Sequence, residues 1–176
     1  MNEIVKKNEI TYGVISGFIS VLILTLIYAT DVMLFISGWI TTLKVTVFIG
    51  LAIVLIVNTK KQLNGVLDFK DTFKTYFIFA CISLLITTLF EMLLFNLIDP
   101  SLKDALKDLS IKMVTKFLEN FNTPVEKINE EVKNIQENDQ FSVLQLAKGY
   151  FSYLLMCSVL GLILAAIFKT KTAQQE

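Results

Sequence analysis

Four apolar stretches, each long enough to cross a lipid bilayer, limit what this chain can fold into. They cover residues 10–28, 39–57, 73–98 and 144–168. A transmembrane helix needs about 20 consecutive apolar residues, since each residue adds about 1.5 Å to its length. Lipid satisfies no backbone hydrogen bonds, and the alternating pattern of barrel strands is absent here. The sequence therefore predicts an all-α polytopic integral membrane protein with four transmembrane helices.

The lysines predict how these helices are threaded. Short cytoplasmic loops carry an excess of basic residues. If all four stretches span, the eight lysines of the N-terminal segment, the connection between the second and third spans and the C-terminal tail fall on one side of the membrane: Lys6, Lys7, Lys60, Lys61, Lys70, Lys74, Lys169 and Lys171. The connection 29–38 has Asp31 and no lysine. We expect both termini in the cytoplasm, and we interpret residues 10–28 as a retained first helix, because the run is longer than a signal-peptide core.

Residues 99–140, between the third and fourth spans, predict a helical extramembrane insertion. Asp99-Pro100 is an N-cap followed by proline at the first helical position. Residues 123–126, Thr-Pro-Val-Glu, form a capping-box pattern that would start a second helix. Apolar residues then recur at steps of three and four: Leu102, Leu106, Leu109, Met113 and Phe117, followed by Val125, Ile128, Val132 and Ile135.

Two arrangements of these amphipathic helices are open. They could form a hairpin over the outer mouth of the bundle, or continue the third and fourth spans, with a bend at Pro100, as long projecting helices. We favour the projecting helices. The apolar stripes are a candidate partner surface. The insertion has six lysines and nine acids, which favours a protein partner over anionic lipid.

Composition and motifs argue against an enzyme. All sixteen basic residues are lysine, and histidine is absent, which removes the commonest general base and metal ligand. No nucleophile–base pattern, phosphate-binding loop or metal-ligand spacing is present. Asp68 and Asp71 before the third span predict a helix N-terminus rather than a metal site. We expect no cofactor, no metal and, with zero formal net charge, no nucleic-acid partner.

Glu91 lies inside the third apolar stretch, where a carboxylate costs about 3 kcal/mol on insertion scales. Ser83, Thr87 and Thr88 share its helix face, and Lys44 of the second span lies at a similar depth. Three interpretations are open for this candidate polar site. It is a structural Lys44–Glu91 pair or interfacial carboxylate, a protonatable or cation-binding site, or a contact to a partner subunit's cation.

Small residues in the first and fourth spans predict close helix packing. Gly13 and Gly17 form a GxxxG pattern, and Cys157, Gly161 and Ala165 recur every four residues. Small side chains let helix backbones approach closely in lipid, where apolar burial gives no drive for association. These faces serve either packing inside the bundle or the docking of another protein's helix.

Several segments carry a family resemblance along nearly the whole chain. They are Tyr12-Gly13 with Gly17, residues 68–75 at the entry to the third span, Asp99-Pro100 after it, and residues 165–169. In these features the chain resembles the DUF4199 family of small bacterial four-span membrane proteins. The resemblance implies the four-span topology and a place in the inner membrane of a Gram-negative bacterium. It implies no activity.

Together these features predict a non-enzymatic inner-membrane protein that acts as an accessory or scaffolding subunit. It would bind partner membrane proteins, or further copies of itself, through the small-residue faces and the outer helices. The alternative is a proton- or cation-coupled carrier, or a small channel, centred on Glu91.

Overall fold

The computed structural model describes residues 3–170, which are almost entirely helical. Six α-helices follow one another: α1 Glu3–Thr30, α2 Gly38–Gln62, α3 Phe69–Leu93, α4 Leu102–Asn120, α5 Val125–Glu137 and α6 Val143–Phe168. A 3₁₀-helical turn, Val32–Ile36, joins α1 to α2, and a π-helical turn, Leu94–Ile98, extends α3. The described residues contain no β-strand. The predicted fold class, four spanning helices with a helical extramembrane insertion, is confirmed.

The four spans are α1, α2, α6 and α3 with its π-helical turn. They contain 28, 25, 26 and 30 residues respectively, more than the about 20 that the hydrocarbon core requires. The sequence prediction covered only their apolar centres. The helices extend further, because a helix keeps its internal hydrogen bonds where polar residues leave the hydrocarbon region. The chain is therefore a membrane protein with four helices able to span a bilayer.

α3 is the central helix of the bundle. It packs most extensively against α1 and α6, while α2 packs mainly against α1. The main buried cluster comprises Ala52, Leu55, Ile56, Leu67, Tyr76, Phe79, Ala80 and Leu164. The buried residues of α2 fall within 52–59 and those of α6 within 161–165. Both sets lie near the same end of the bundle.

Hydrogen bonds at that end tie the connection between α2 and α3 to the end of α6. Lys60 Nζ donates to the carbonyl oxygen of Phe168 at 2.9 Å. The backbone nitrogen of Thr170 donates to the Leu67 carbonyl at 2.8 Å, and its hydroxyl accepts from the Leu67 nitrogen at 2.8 Å. The described lysines of the predicted set therefore gather at one end of the bundle, which we call the lysine end. Lys171 lies outside the described residues.

α4 and α5 pair as a hairpin at the opposite end. The first two turns of α4, with Leu102 and Leu106, form a second buried cluster with Leu94 and Phe95 of the π-helical turn. We call this cluster the hairpin root. Residues of the 3₁₀-helical turn pack against it. The hairpin is the first of the two arrangements that the sequence left open, and not the one that was favoured.

The favoured continuous projecting helices are not observed. Asp99, with φ −141° and ψ 82°, and Asn138, with φ −102° and ψ 117°, both leave helical geometry. These two breaks turn the chain into and out of the hairpin. The hairpin is therefore held to the bundle by packing at the hairpin root and not by an uninterrupted helix.

Two of the three predicted helix starts differ from the structure. Asp68 caps α3 as expected, since its Oδ1 accepts a hydrogen bond from the Asp71 nitrogen at 2.6 Å. The residue directly before α4 is Ser101 and not Asp99, because the π-helical turn extends to Ile98 and α4 begins at Leu102. The Asp99 carboxylate nevertheless accepts backbone hydrogen bonds from Ser101 and Leu102. The predicted capping box at residues 123–126 is not formed. The residue before α5 is Pro124, in an extended conformation, and no side chain caps this helix.

Candidate functional site

Glu91 is partly buried near the hairpin end of α3. Its carboxylate interacts electrostatically with Lys44, but no ion pair joins the two side chains within residues 3–170. No hydrogen bond to the Glu91 carboxylate is formed by any described residue. Of the three interpretations, the structural pair is therefore not realised as a direct contact, and the carboxylate is left without a bonded partner inside the described chain.

The hydroxyl groups expected beside Glu91 are engaged elsewhere. Ser83 Oγ donates to Ser16 Oγ of α1 at 2.8 Å, and Thr87 Oγ1 donates to the Ser83 carbonyl of its own helix at 3.0 Å. Thr88 is buried. The polar stripe therefore holds α3 to α1 and to itself, and it does not form a ring of hydroxyl groups around Glu91.

The glycines of α1 allow close contact with α3. A Cβ atom built on Gly13 would lie 2.9 Å from Ile82 Cβ, and one on Gly17 would lie 2.8 Å from Ile86 Cβ. Distances this short do not occur between real carbon atoms without displacement. This small-residue face is thus filled by α3, so the interpretation that it docks a partner helix is wrong for the folded bundle.

The small-residue face of α6 also packs inside the bundle. A Cβ atom on Gly161 would lie 2.6 Å from Cδ1 of Tyr76, an α3 residue. Ala165 is fully buried, and Cys157 packs against the main buried cluster. Both small-residue faces therefore make intramolecular contacts, and neither is exposed for a partner.

The candidate partner surface on the hairpin divides into three parts. Leu102 and Leu106 are buried in the hairpin root, which corrects the expectation that they face a partner. Ile128 is buried, and the remaining apolar residues near the middle of the hairpin, Leu109, Val132 and Ile135, are partly covered. These stripes are used chiefly to pack the hairpin.

The far end of the hairpin remains apolar and exposed. Phe117 is 58% exposed and Phe121 is 69% exposed, and their ring centroids lie 4.8 Å apart. Met113 lies one turn before Phe117, and Val125 begins α5, both exposed. We call these four residues the tip patch. The sequence stripe included Met113, Phe117 and Val125 but not Phe121, whose four-residue step from Phe117 was the available signal.

A polar network locks the hairpin root to α3. Lys103 Nζ donates to Asn96 Oδ1 at 2.7 Å and forms an ion pair with Asp139 at 3.0 Å. Asn96 Nδ2 donates to the Phe141 carbonyl at 3.1 Å. The network thus connects the π-helical turn with α4 and with the connection to α6.

Asp99 contributes to the same region from just outside the third span. Its carboxylate accepts hydrogen bonds from the Ser101 hydroxyl and, at 3.2 Å, from the Tyr28 hydroxyl of α1. Hydrogen bonding from Ser101, followed by that from Tyr28, lowers the pKa of Asp99 from its ordinary value. The ionised form of Asp99 is therefore favoured by the folded arrangement.

Glu9 is a buried carboxyl group that the sequence prediction missed. It lies at the lysine end of α1, is 1% exposed, and its Oε2 has no hydrogen-bond partner among the described residues. The predicted first span began at residue 10 because apolar length alone defined it. The available signal was the four-residue spacing of Val5, Glu9, Gly13 and Gly17, which continues the packed face of α1.

No cluster of three or more potential metal ligands occurs within residues 3–170. Comparison with known proteins gave one family match. The model of DUF4199, a protein of unknown function, matches residues 11–170. No curated protein and no solved structure matches the chain significantly.

Proposed function

The chain belongs to the DUF4199 family, and we propose that it is a non-enzymatic accessory or scaffolding subunit of a membrane-protein assembly. The observation that carries this proposal is the tip patch, four large apolar side chains exposed at the far end of an extramembrane hairpin. Exposed apolar patches of this kind mark protein or membrane contact sites.

The occupant we propose is an apolar segment of a partner membrane protein, outside the bilayer. The residues 99–140 around the patch carry more acids than lysines, nine against six, which disfavours an anionic lipid surface. The paired rings of Phe117 and Phe121 provide the aromatic anchor that protein interfaces favour. Because the small-residue faces are occupied within the bundle, the hairpin is the proposed docking element and the spans are not.

Site-specific photocrosslinking in cells that produce the protein natively tests this role. A photoreactive residue at position 117 is expected to give one stoichiometric crosslinked partner, and one at the exposed polar position 136 is expected to give none. Phe121→Glu should abolish the crosslink, while Gln136→Glu, which adds the same charge on the hairpin, should leave it intact. A partner captured equally by both positions, or captured despite Phe121→Glu, would contradict the proposal. Binding to partner-free vesicles of anionic lipid would also contradict it.

The proposed location is a bacterial inner membrane with both termini in the cytoplasm and the hairpin outside. It is supported by the gathering of lysines at one end of the bundle. Single cysteines at the exposed positions 66 and 121, in a background without Cys81 and Cys157, test this. A membrane-impermeant maleimide applied to spheroplasts should label position 121 and not position 66. The reverse pattern would invert the topology.

A second candidate function is a proton- or cation-coupled carrier or small channel centred on Glu91. It is favoured by the lack of a bonded partner for the Glu91 carboxylate within the described residues. In proteoliposomes Glu91→Gln should abolish ion flux with little loss of folding, whereas Glu126→Gln on the exposed hairpin should not change it. No flux in the unmodified protein across protons and alkali cations would exclude this function.

A further inference from the structure

The buried carboxyl group of Glu9 is enclosed where α1, α2 and α3 meet at the lysine end. Along the contacts between α1 and α3 the residue numbers of both helices increase together, from Gly13 with Ile82 to Gly17 with Ile86. The two helices therefore run in the same direction. The neighbouring α1 residue Asn8 donates to Thr59 Oγ1 of α2 at 3.1 Å. Glu9 therefore lies in a three-helix seam, not on the lipid face.

The helix register identifies the α3 residue that lies level with Glu9. The hydroxyl of Ser16 bonds that of Ser83, and Gly13 approaches the Phe79 carbonyl. One further turn toward the lysine end places Glu9 level with Thr75. Thr75 is 0% exposed, and its Oγ1 has no hydrogen-bond partner among the described residues. Two unpartnered oxygen groups therefore occur at one level of the same seam.

The charges around Glu9 do not neutralise it by direct contact. Lys6 of α1 and Lys74 of α3 act on it electrostatically, but both side chains are exposed and neither forms an ion pair with it within residues 3–170. From α2, Asn58 and Thr59 bond the neighbouring α1 residues Tyr12 and Asn8, and both α2 residues are uncharged. An ionised Glu9 would thus lack a contacting cation or a hydrogen-bond donor at Oε2.

We propose that Glu9 is a proton-binding site of the folded bundle. An unpaired carboxylate is so costly to bury that such groups neutralise instead. A proton from water at the lysine end forms the O–H bond at Oε2, leaving hydroxide in the solvent. A hard metal cation fits less well, because it takes about six oxygen ligands, whereas the described residues place two buried, unpartnered oxygens at this level, Glu9 Oε2 and Thr75 Oγ1. This site is separate from Glu91 and does not depend on the hairpin.

Infrared spectroscopy of the full-length protein in lipid nanodiscs tests the proposal. At neutral pH the unmodified protein should show the carbonyl band of a protonated glutamic acid, identified by its shift on ¹³C-glutamate labelling. Glu91→Gln, the matched change in the other intramembrane carboxyl group, should retain the band of Glu9. The double variant Glu9→Gln/Glu91→Gln should remove it; the double variant is needed because the Glu91 carboxyl group also lacks a bonded partner among the described residues. Thr75→Val should shift the band, because it removes the hydroxyl at the same level.

The absence of a protonated band in the Glu91→Gln protein at neutral pH, or a band that persists in the double variant, would overturn the proposal. If Glu9→Gln does not fold, Glu9→Asp takes its place, with a displaced band expected and an unchanged band counting against Glu9. Thermal unfolding in sodium, potassium and choline chloride at equal ionic strength separates a metal ion from a proton. Equal unfolding temperatures support the proton site. A rise specific to sodium that Glu9→Gln removes would show a metal cation and overturn it.

Discussion

Ser16 and Ser83 form a buried hydrogen bond across the seam between α1 and α3, with 2.8 Å between their hydroxyl oxygens. The bond lies between the two close contacts that Gly13 and Gly17 of α1 make with α3. It therefore fixes the register of α1 on α3, and this register sets the level of Glu9 on the same seam.

Removal of one of these hydroxyl groups is expected to destabilise the bundle by leaving the other buried and unpaired. We expect Ser16→Ala and Ser83→Ala each to lower the free energy of unfolding by about 1–3 kcal/mol. The double variant should cost less than the sum, with a coupling energy of about 0.6 kcal/mol, as for other hydrogen bonds between membrane helices. Reversible unfolding in mixed micelles measures the cycle. Strict additivity would mean that the bond contributes nothing.

Gly17→Ala is expected to destabilise the bundle, because the new Cβ would lie 2.8 Å from Ile86 Cβ. Overpacking of this kind costs about 1–3 kcal/mol. Gly50→Ala on α2 is the matched control, since nothing lies within 4 Å of a Cβ there. The control should unfold at the same temperature as the unmodified protein or at a higher one, because alanine favours helices. Equal losses in both variants would refute the close α1–α3 contact.

Leu106→Ala is expected to loosen the hairpin root, where Leu106 is 0% exposed. Truncation of a buried leucine costs about 2–5 kcal/mol, so the hairpin should open more often. Limited proteolysis of the protein in nanodiscs should then cut within residues 121–124 and 138–142 several-fold faster. Phe117→Ala changes an exposed position and should leave the rate nearly unchanged. Similar rates in the two variants would mean that the root does not hold the hairpin.

Acidification is expected to weaken the contacts of Asp99. Its pKa is lowered in the folded protein, so the ionised carboxylate stabilises the fold at pH values above its ordinary pKa of about 3.8. This contribution falls as the pH drops below that value and is lost once the pH passes below the folded pKa. Thermal unfolding measured between pH 3 and pH 7, a range of about four pH units that includes the ordinary pKa values of carboxyl groups, tests this effect.

Asp99→Asn should flatten that profile, because asparagine does not titrate. Asp108→Asn on the exposed side of α4 serves as the control and should keep the profile of the unmodified protein. If the Asp99 variant kept the full acid dependence, another carboxyl group would be responsible.

Apolar length was sufficient to predict the spans, because crossing lipid is a requirement that each helix meets without information about its neighbours. Apolar length was insufficient to find Glu9, because a polar residue at the end of a helix does not count towards an apolar stretch. The burial of Glu9 depends on its neighbours in α2 and α3. The periodicity of Leu102, Leu106 and Ile128 correctly indicated apolar faces. It did not indicate what covers them, because that depends on the breaks at Asp99 and Asn138.

The small-residue faces show the same limit. Gly13, Gly17 and Gly161 predicted close approach, and the structure has close approach at each. Whether a neighbour belongs to the same chain or to another is not encoded in the spacing. Ile82, Ile86 and Tyr76 of α3 settle the matter, because they fill these faces from within.

The buried residues of α2 and α6 lie near the lysine end, and the opposite halves of these two helices contain no fully buried residue. In a bilayer, we expect acyl chains of the adjacent leaflet to take the place of protein packing there. We therefore expect α2 and α6 to be held more firmly at the lysine end than at the hairpin end. On this expectation, the lipid composition of the leaflet on the hairpin side influences the spacing of α2 and α6 more than that of the opposite leaflet does.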